Sequence, residues 1–429
     1  MTEINMEFSC KSLEYNSFEK LNTIHNINKK QLDNYTLFGY NKEKFTEDLH
    51  DYRSLIFYNK NLIAYGPPKS TNYDLFKNNN NNFSENIDVD LFVEGTMIML
   101  YYNNYTTQWE TSTRGNIGAT CSFFQNSSKK TFRNMFDESC NMSFLDISKL
   151  DKSLCYIFVM NHPDNRIVNK CDIPTLHLVK VYKINNNEQE ETFDIQVLKE
   201  LNSIKEMFVN TLVQFPQLDL NDSSNNITYE SIEEFVNKSS FQVMGVIIYD
   251  KINDVRTKIR NNKYESVRKL RGNQPKLDYR YLELKKNKNI NKYLQYFPEH
   301  KENFDEYWNK TREFTNDLYK YYVETHITKS KKMDDIPKEF KSHAYNLHQF
   351  YLNNLRPNKY SMQKNHVINY VNQLPEAMLL HALNYKKKQP STLSIKIPEI
   401  SINDKISIPL APRNNVNNEN FESTQSTPN

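Results

Sequence analysis

Residues Asp90 to Ala119 read DLFVEGTMIMLYYNNYTTQWETSTRGNIGA. An apolar run from Met97 to Tyr102 meets a short Asn103-Asn104 turn, and β-branched and aromatic residues follow from Tyr105 to Ser112. This predicts strand, turn and strand, because Asn tolerates the backbone of a tight turn and the flanking residues suit a pleated surface. Working outward, Arg53 to Tyr58 and Leu62 to Tyr65 flank Asn59-Lys60-Asn61 as a second hairpin. Cys155 to Asn161 is a continuous apolar run, the pattern of a strand covered on both faces. Leu176 to Tyr182, Phe241 to Tyr249 and Val255 to Asn261 complete the predicted strands.

Ile195 to Phe215 reads as an amphipathic helix, with Leu198, Leu201, Ile204, Phe208 and Leu212 recurring at helical spacing. Glu302 to His326 and Met362 to Tyr385 carry further aromatic and apolar stripes, which suit a helical core. Met1 to Asp51, polar with scattered aromatics, is expected to form short helices or irregular structure. The fold class is therefore α+β, with antiparallel sheets followed by helices. The expected organisation is an extension over residues 1–50, a sheet domain over 51–273, a helical domain over 274–385 and a disordered tail over 386–429, rich in Pro, Ser and Asn.

Composition removes several classes of function. Seven glycines in 429 residues argue against a Gly-rich phosphate loop. Five widely spaced cysteines with no C-x-x-C pair support neither a zinc ribbon nor a redox dithiol, and they suit a reducing compartment. The ten histidines show no ligand spacing. With no signal-peptide pattern at Met1 to Lys30 and no run of 18 apolar residues, the chain is expected to be soluble and cytoplasmic, without a membrane partner. Charge is more informative. Between Arg256 and Lys286 there are 11 Lys and Arg against 3 acids, a net of +8 in a chain whose total is +3. A basic segment on a slightly acidic body is an electrostatic footprint for phosphates, although a solvated helix face gives a similar count.

Five short motifs, in order, carry a resemblance. They are Arg53-Ser54 with Lys69, Phe92-Val93-Glu94-Gly95-Thr96, Thr113-Arg114-Gly115-Asn116-Ile117, Phe158 to Val168, and Met244-Gly245-Val246 with Lys258-Ile259-Arg260 and Tyr264. The chain resembles the covalent nucleotidyltransferases, and within them the bacteriophage RNA ligases that reseal broken tRNA anticodon loops. The resemblance implies an antiparallel-sheet nucleotidyltransferase domain over about half the chain. The agreement at Phe158, Pro163, Asn165, Arg166, Ile167 and Val168 is its most specific part.

The resemblance also implies chemistry that these residues cannot perform. Ligases of this kind attack ATP with a lysine in a Lys-x-Asp-Gly-Ser motif, and that position is Phe92. No lysine occurs between Lys77 and Lys129, so no small shift of register supplies one. Glutamates expected after Phe158 and before Gly245 are Val159 and Met244. Catalytic residues are therefore assigned to none, with Phe92, Val159 and Met244 as lost positions, and no metal ligands are assigned. The cations remain: Arg53, Lys69, Arg114, Arg166, Lys258 and Arg260, with Glu94 standing where the family has Asp. These seven are the expected RNA- or phosphate-contacting residues. Arg166 can also be read as a structural arginine, and the three apolar replacements as packing in a former nucleotide pocket.

The expected function is a pseudoenzyme that binds RNA, in particular tRNA or its cleaved ends, and that would serve as an immunity factor against a tRNA-cleaving toxin, as on a killer plasmid. ATP and Mg2+ enter only if residual nucleotide binding survives. The alternatives are a residual ATP-dependent ligase and a non-enzymatic protein-interaction module.

Overall fold

The computed structural model describes residues 6–81, 83–84, 86–123, 130–216, 218 and 227–385. The predicted tail, 386–429, lies outside them. Contacts divide the chain into Met1–Leu383 and Asn384–Asn429, and the account below concerns the first. No helix among the described residues is long and apolar enough to cross a membrane.

Three antiparallel sheets carry the fold. The largest has seven strands in the order Phe8–Lys11, Thr192–Leu198, Thr175–Asn187, Leu154–Asn161, Thr96–Asn103, Gln108–Thr113 and Asn116–Ile117. A four-stranded meander, Ile27–Leu32, Tyr35–Tyr40, Leu55–Tyr58 and Asn61–Tyr65, packs on one face of it. The smallest sheet orders Val255–Arg260, Gly245–Asp250 and Ile87–Leu91.

The apolar run at Leu154–Asn161 shows why a sheet needs two kinds of neighbour. Cys155 and Ile157 join the core beneath the four-stranded sheet, while Tyr156, Phe158 and Met160 join the core beneath the helix Phe132–Met142. Alternate side chains of one strand thus feed two cores, as a period of two requires. Each fully buried aromatic here removes enough apolar surface to contribute about 2–3 kcal/mol. After Arg260 the chain turns helical. Helices Asn262–Arg271, Leu277–Lys286, Lys301–Tyr322, Lys338–Phe350 and Lys364–Gln373 share one aromatic-rich core, which also takes in Val168.

Three expectations are corrected. Within Met1 to Asp51 the structure has the strands Phe8–Lys11, Ile27–Leu32 and Tyr35–Tyr40. Ile27–Leu32 is a sheet edge whose Lys29 and Lys30 face solvent, so it carries no apolar alternation, and charge on an edge discourages unwanted pairing. The predicted helix at Ile195 to Phe215 is a strand, Thr192–Leu198, followed by the 3-10 helix Leu201–Phe208. Phe193, Ile195 and Val197 alternate inward, and pairing on both sides overrides the helical spacing that begins at Leu198. Finally, the turn in the opening stretch is longer than Asn103-Asn104. The second strand begins at Gln108, Thr107 takes φ 55°, and Asn103 accepts the Tyr105 amide at 3.0 Å.

Candidate functional site

Phe92–Gly95 is the crossing between two sheets. Leu91 pairs with Val246 at the end of the smallest sheet, and the Phe92 amide donates to the Gly245 carbonyl at 2.9 Å. Four residues later Thr96 opens a strand of the largest sheet. Gly95 makes the crossing possible. It holds φ 146°, and a Cβ there would stand 2.5 Å from the Met160 carbonyl and 2.8 Å from a Val159 methyl. Gly245 is equally constrained, with the Ile259 carbonyl 2.0 Å from where its Cβ would be.

A cavity of about 390 Å³ opens beside this crossing. Its lining contains Phe92, Val159 and Met244, so the three lost positions do share one site. Arg53, Lys69, Glu94, Arg114, Lys258 and Arg260 line it as well. Arg166, expected with them, does not. Its guanidinium donates to the Val168 carbonyl at 3.0 and 3.1 Å and to the Tyr296 carbonyl at 2.8 Å, pairs with Glu299 at 2.6 Å, and lies over the Phe297 ring. These contacts hold the turn to the helical region.

Local structure explains the other positions. Arg256, Lys258 and Arg260 alternate along Val255–Arg260, so all three project from one face of an edge strand. Arg256 was absent from the expected set although the period of two from Lys258 points to it. The segment after the second hairpin runs alongside this edge. The Thr71 amide donates to the Arg256 carbonyl at 2.8 Å, and the Thr257 hydroxyl to the Thr71 carbonyl at 3.0 Å, which fixes Lys69 at the rim. Ser54, where the family has glycine, is fully buried and donates to the Arg114 carbonyl at 3.0 Å. The Tyr40 ring carries the Arg114 guanidinium at 5.0 Å, and the Lys69 ammonium sits over Phe45. Tyr40 lies in the segment read as irregular and has no sequence signal of its own. Arg260 lies over the Phe92 ring at 5.4 Å and pairs with Glu265, which also binds Arg268 at 3.3 Å.

The electrostatics of the lining are one-sided. Seven basic side chains face two acids, Asp90 and Glu94. Glu94 is buried and already engaged: it accepts the Val168 amide at 3.0 Å, the Asn169 amide at 3.1 Å and the Tyr264 hydroxyl. Burial and the neighbouring Asp88 push the Asp90 carboxyl up to about 7. Among the described residues Arg53, Lys69, Arg114, Arg256 and Lys258 pair with no carboxylate. Burial, with repulsion from Arg256 and Arg114, pushes Arg53 down to about 9. Burial, with repulsion from Arg260, Arg256, Arg53 and Lys69, pushes the Lys258 ammonium down to about 8. Such a lining lowers its own energy by taking up a multivalent anion.

One cluster of possible metal ligands exists elsewhere among the described residues, Glu138 with His162 and Asp164. The Lys130 ammonium lies 2.9 Å from Glu138 and 3.1 Å from Asp164, so a cation of the chain's own already occupies that position.

No family profile matches the chain. Over 99 residues it is 32% identical to an RNA ligase of Rhodothermus phage RM378. Over that stretch the chain is similar to an RNA ligase. The matched stretch spans 21% of this chain and 22% of the length of that ligase. Among solved structures, an archaeal ATP-dependent RNA ligase is similar over 85% of this chain and 93% of its own, at 13% identity and TM-score 0.39. A putative ATP-dependent DNA ligase from Aquifex aeolicus covers 85% and 78% at 13% identity and TM-score 0.37. A Naegleria gruberi RNA ligase mutant with ATP and Mn covers 61% and 95% at 12% identity and TM-score 0.32.

Proposed function

We propose that this RNA-ligase relative binds RNA through its phosphates in the cavity beside Phe92 and forms no covalent nucleotide intermediate. The observation that carries the reading is the set of five cations without carboxylate partners around one cavity, next to a phenyl ring where an amine would be needed. A phenyl ring offers no lone pair to phosphorus, and Val159 and Met244 offer none to a metal. Phosphate contacts, by contrast, need only positive charge and N–H donors. The RNA is tRNA or its cleaved anticodon ends, and binding them would shield tRNA from a nuclease, the role of an immunity factor.

Incubation with α-labelled ATP and a divalent metal is expected to leave no label on the denatured protein, and a covalent adduct would overturn the inactive reading. Gel-shift titrations with intact and nicked tRNA test the other half. Five phosphate contacts to single-stranded RNA predict a loss of about a hundredfold in affinity between 50 and 200 mM salt. Binding insensitive to salt would count against phosphate recognition and for a protein-interaction module.

The depressed Lys258 adds a dependence on pH. A bound phosphate requires the protonated amine, so affinity should fall about tenfold as the pH rises from 7 to 9, through a value near 8. Lys258→Arg keeps the charge across that window and should flatten the profile. An unchanged slope in that variant would show that another group is responsible.

A further inference from the structure

The resemblance to ligases implies a divalent metal beside the nucleotide, and the cavity does not fit one. The positions that would supply carboxylates are Val159 and Met244, and Met244 packs against the helical core. Of the two acids that remain, Glu94 has its oxygens taken by two backbone amides and a tyrosine hydroxyl. Asp90 is a single part-buried carboxyl in the lining of a basic cavity, beside Asp88 and opposite Ile247. Among the described residues, no group of three ligand atoms suited to a metal lies in the cavity.

We propose that the cavity binds a terminal triphosphate without a metal ion, and that divalent cations oppose this binding instead of supporting it. The proposal rests on the cavity being a phosphate site and goes beyond the tRNA reading, since neither tRNA nor its cleaved ends carries a terminal triphosphate. A metal in the active ligases offsets phosphate charge. Here Arg53, Arg256 and Lys258 have no carboxylate to offset theirs, so the chain itself supplies what the metal would. A bare triphosphate carries about four negative charges at neutral pH, close to the five unpaired cations, whereas complexation with Mg2+ removes about two of them. The volume also discriminates. About 390 Å³ suits a small ligand or one chain terminus, and it does not admit a duplex. The triphosphate can belong to a free nucleotide or to the 5′ end of an RNA, and the chemistry recognised is the same.

The test is calorimetric titration of the full chain at constant ionic strength, with inorganic tripolyphosphate, ATP, a short 5′-triphosphate RNA and the same RNA with a 5′-hydroxyl. Each is run in EDTA and in excess Mg2+. Tripolyphosphate is expected to bind in EDTA and to weaken at least about tenfold in Mg2+. Arg256→Gln and Lys258→Gln should each weaken it about tenfold or more in EDTA, and Lys258→Gln should do so with an unfolding midpoint no lower than wild type, whereas Arg256 also donates to the Pro68 carbonyl at 2.9 Å. ATP binding as tightly as the triphosphate RNA assigns the site to a free nucleotide, and tighter RNA binding assigns it to the RNA end. Binding that requires Mg2+, or that Mg2+ strengthens, overturns the proposal. If the 5′-hydroxyl RNA binds as well as the triphosphate RNA and tripolyphosphate does not bind, this proposal fails while RNA recognition stands. If tripolyphosphate binds and neither RNA does, RNA recognition fails and this proposal stands.

Discussion

Arg53→Met raises the unfolding midpoint of the ligand-free protein by a few degrees and lowers its affinity for phosphate ligands by at least about a hundredfold. Both effects come from one cause. The Arg53 side chain is part-buried, it donates a 3.5 Å hydrogen bond to the Pro67 carbonyl, and Arg256 and Arg114 repel it. Burial and repulsion from the two neighbouring arginines make it costly to hold charged, and they push it down from its ordinary value. Methionine fills similar volume without that cost, and after imperfect repacking a net gain of about 2 kcal/mol remains. Scanning calorimetry in EDTA and phosphate-free buffer at pH 7 measures this. A midpoint below wild type at pH 7 would sink it.

Glu94→Ala is expected to act in the opposite direction, destabilising the protein by about 3–5 kcal/mol. The carboxylate is buried and satisfies the Val168 and Asn169 amides and the Tyr264 hydroxyl, three donors on segments far apart in sequence. Removing it leaves each donor without a partner, at about 1–3 kcal/mol apiece when buried. Glu94→Gln keeps one acceptor oxygen and should cost about half as much. Denaturant unfolding measures both. If Glu94→Ala were within about 1 kcal/mol of wild type while anion binding tightened, Glu94 would be a member of the binding surface and not a brace.

What could be read in advance depended on how local each cause was. Leu154–Asn161 was legible because a run buried on both faces has no polar residue to disguise it. The site was legible in part because a short motif carries its neighbours with it: Phe92, Val159 and Met244 lie on three different strands or their ends, yet line one cavity. Arg256 was legible from strand alternation alone and was passed over. Arg166 was legible as a structural arginine only as the second reading, because Glu299 lies 133 residues along the chain and nothing local marks it as the partner. The polar strand Ile27–Leu32 was hidden for a related reason: its pairing satisfies the backbone on one side only, and its side chains answer to water. The division into domains predicted at residues 273 and 385 remains a proposal.

The Phe92–Gly95 crossing has a mechanical consequence. It stitches the smallest sheet to the largest where like charges meet, with Arg256 and Lys258 on the smallest sheet, Arg114 at the end of a strand of the largest, and Arg53 beside them just before Leu55–Tyr58 of the four-stranded sheet. A polyanion lodged between these walls would act as a rivet. The occupant's grip is thereby converted into resistance to prising the walls apart, in proportion to its saturation.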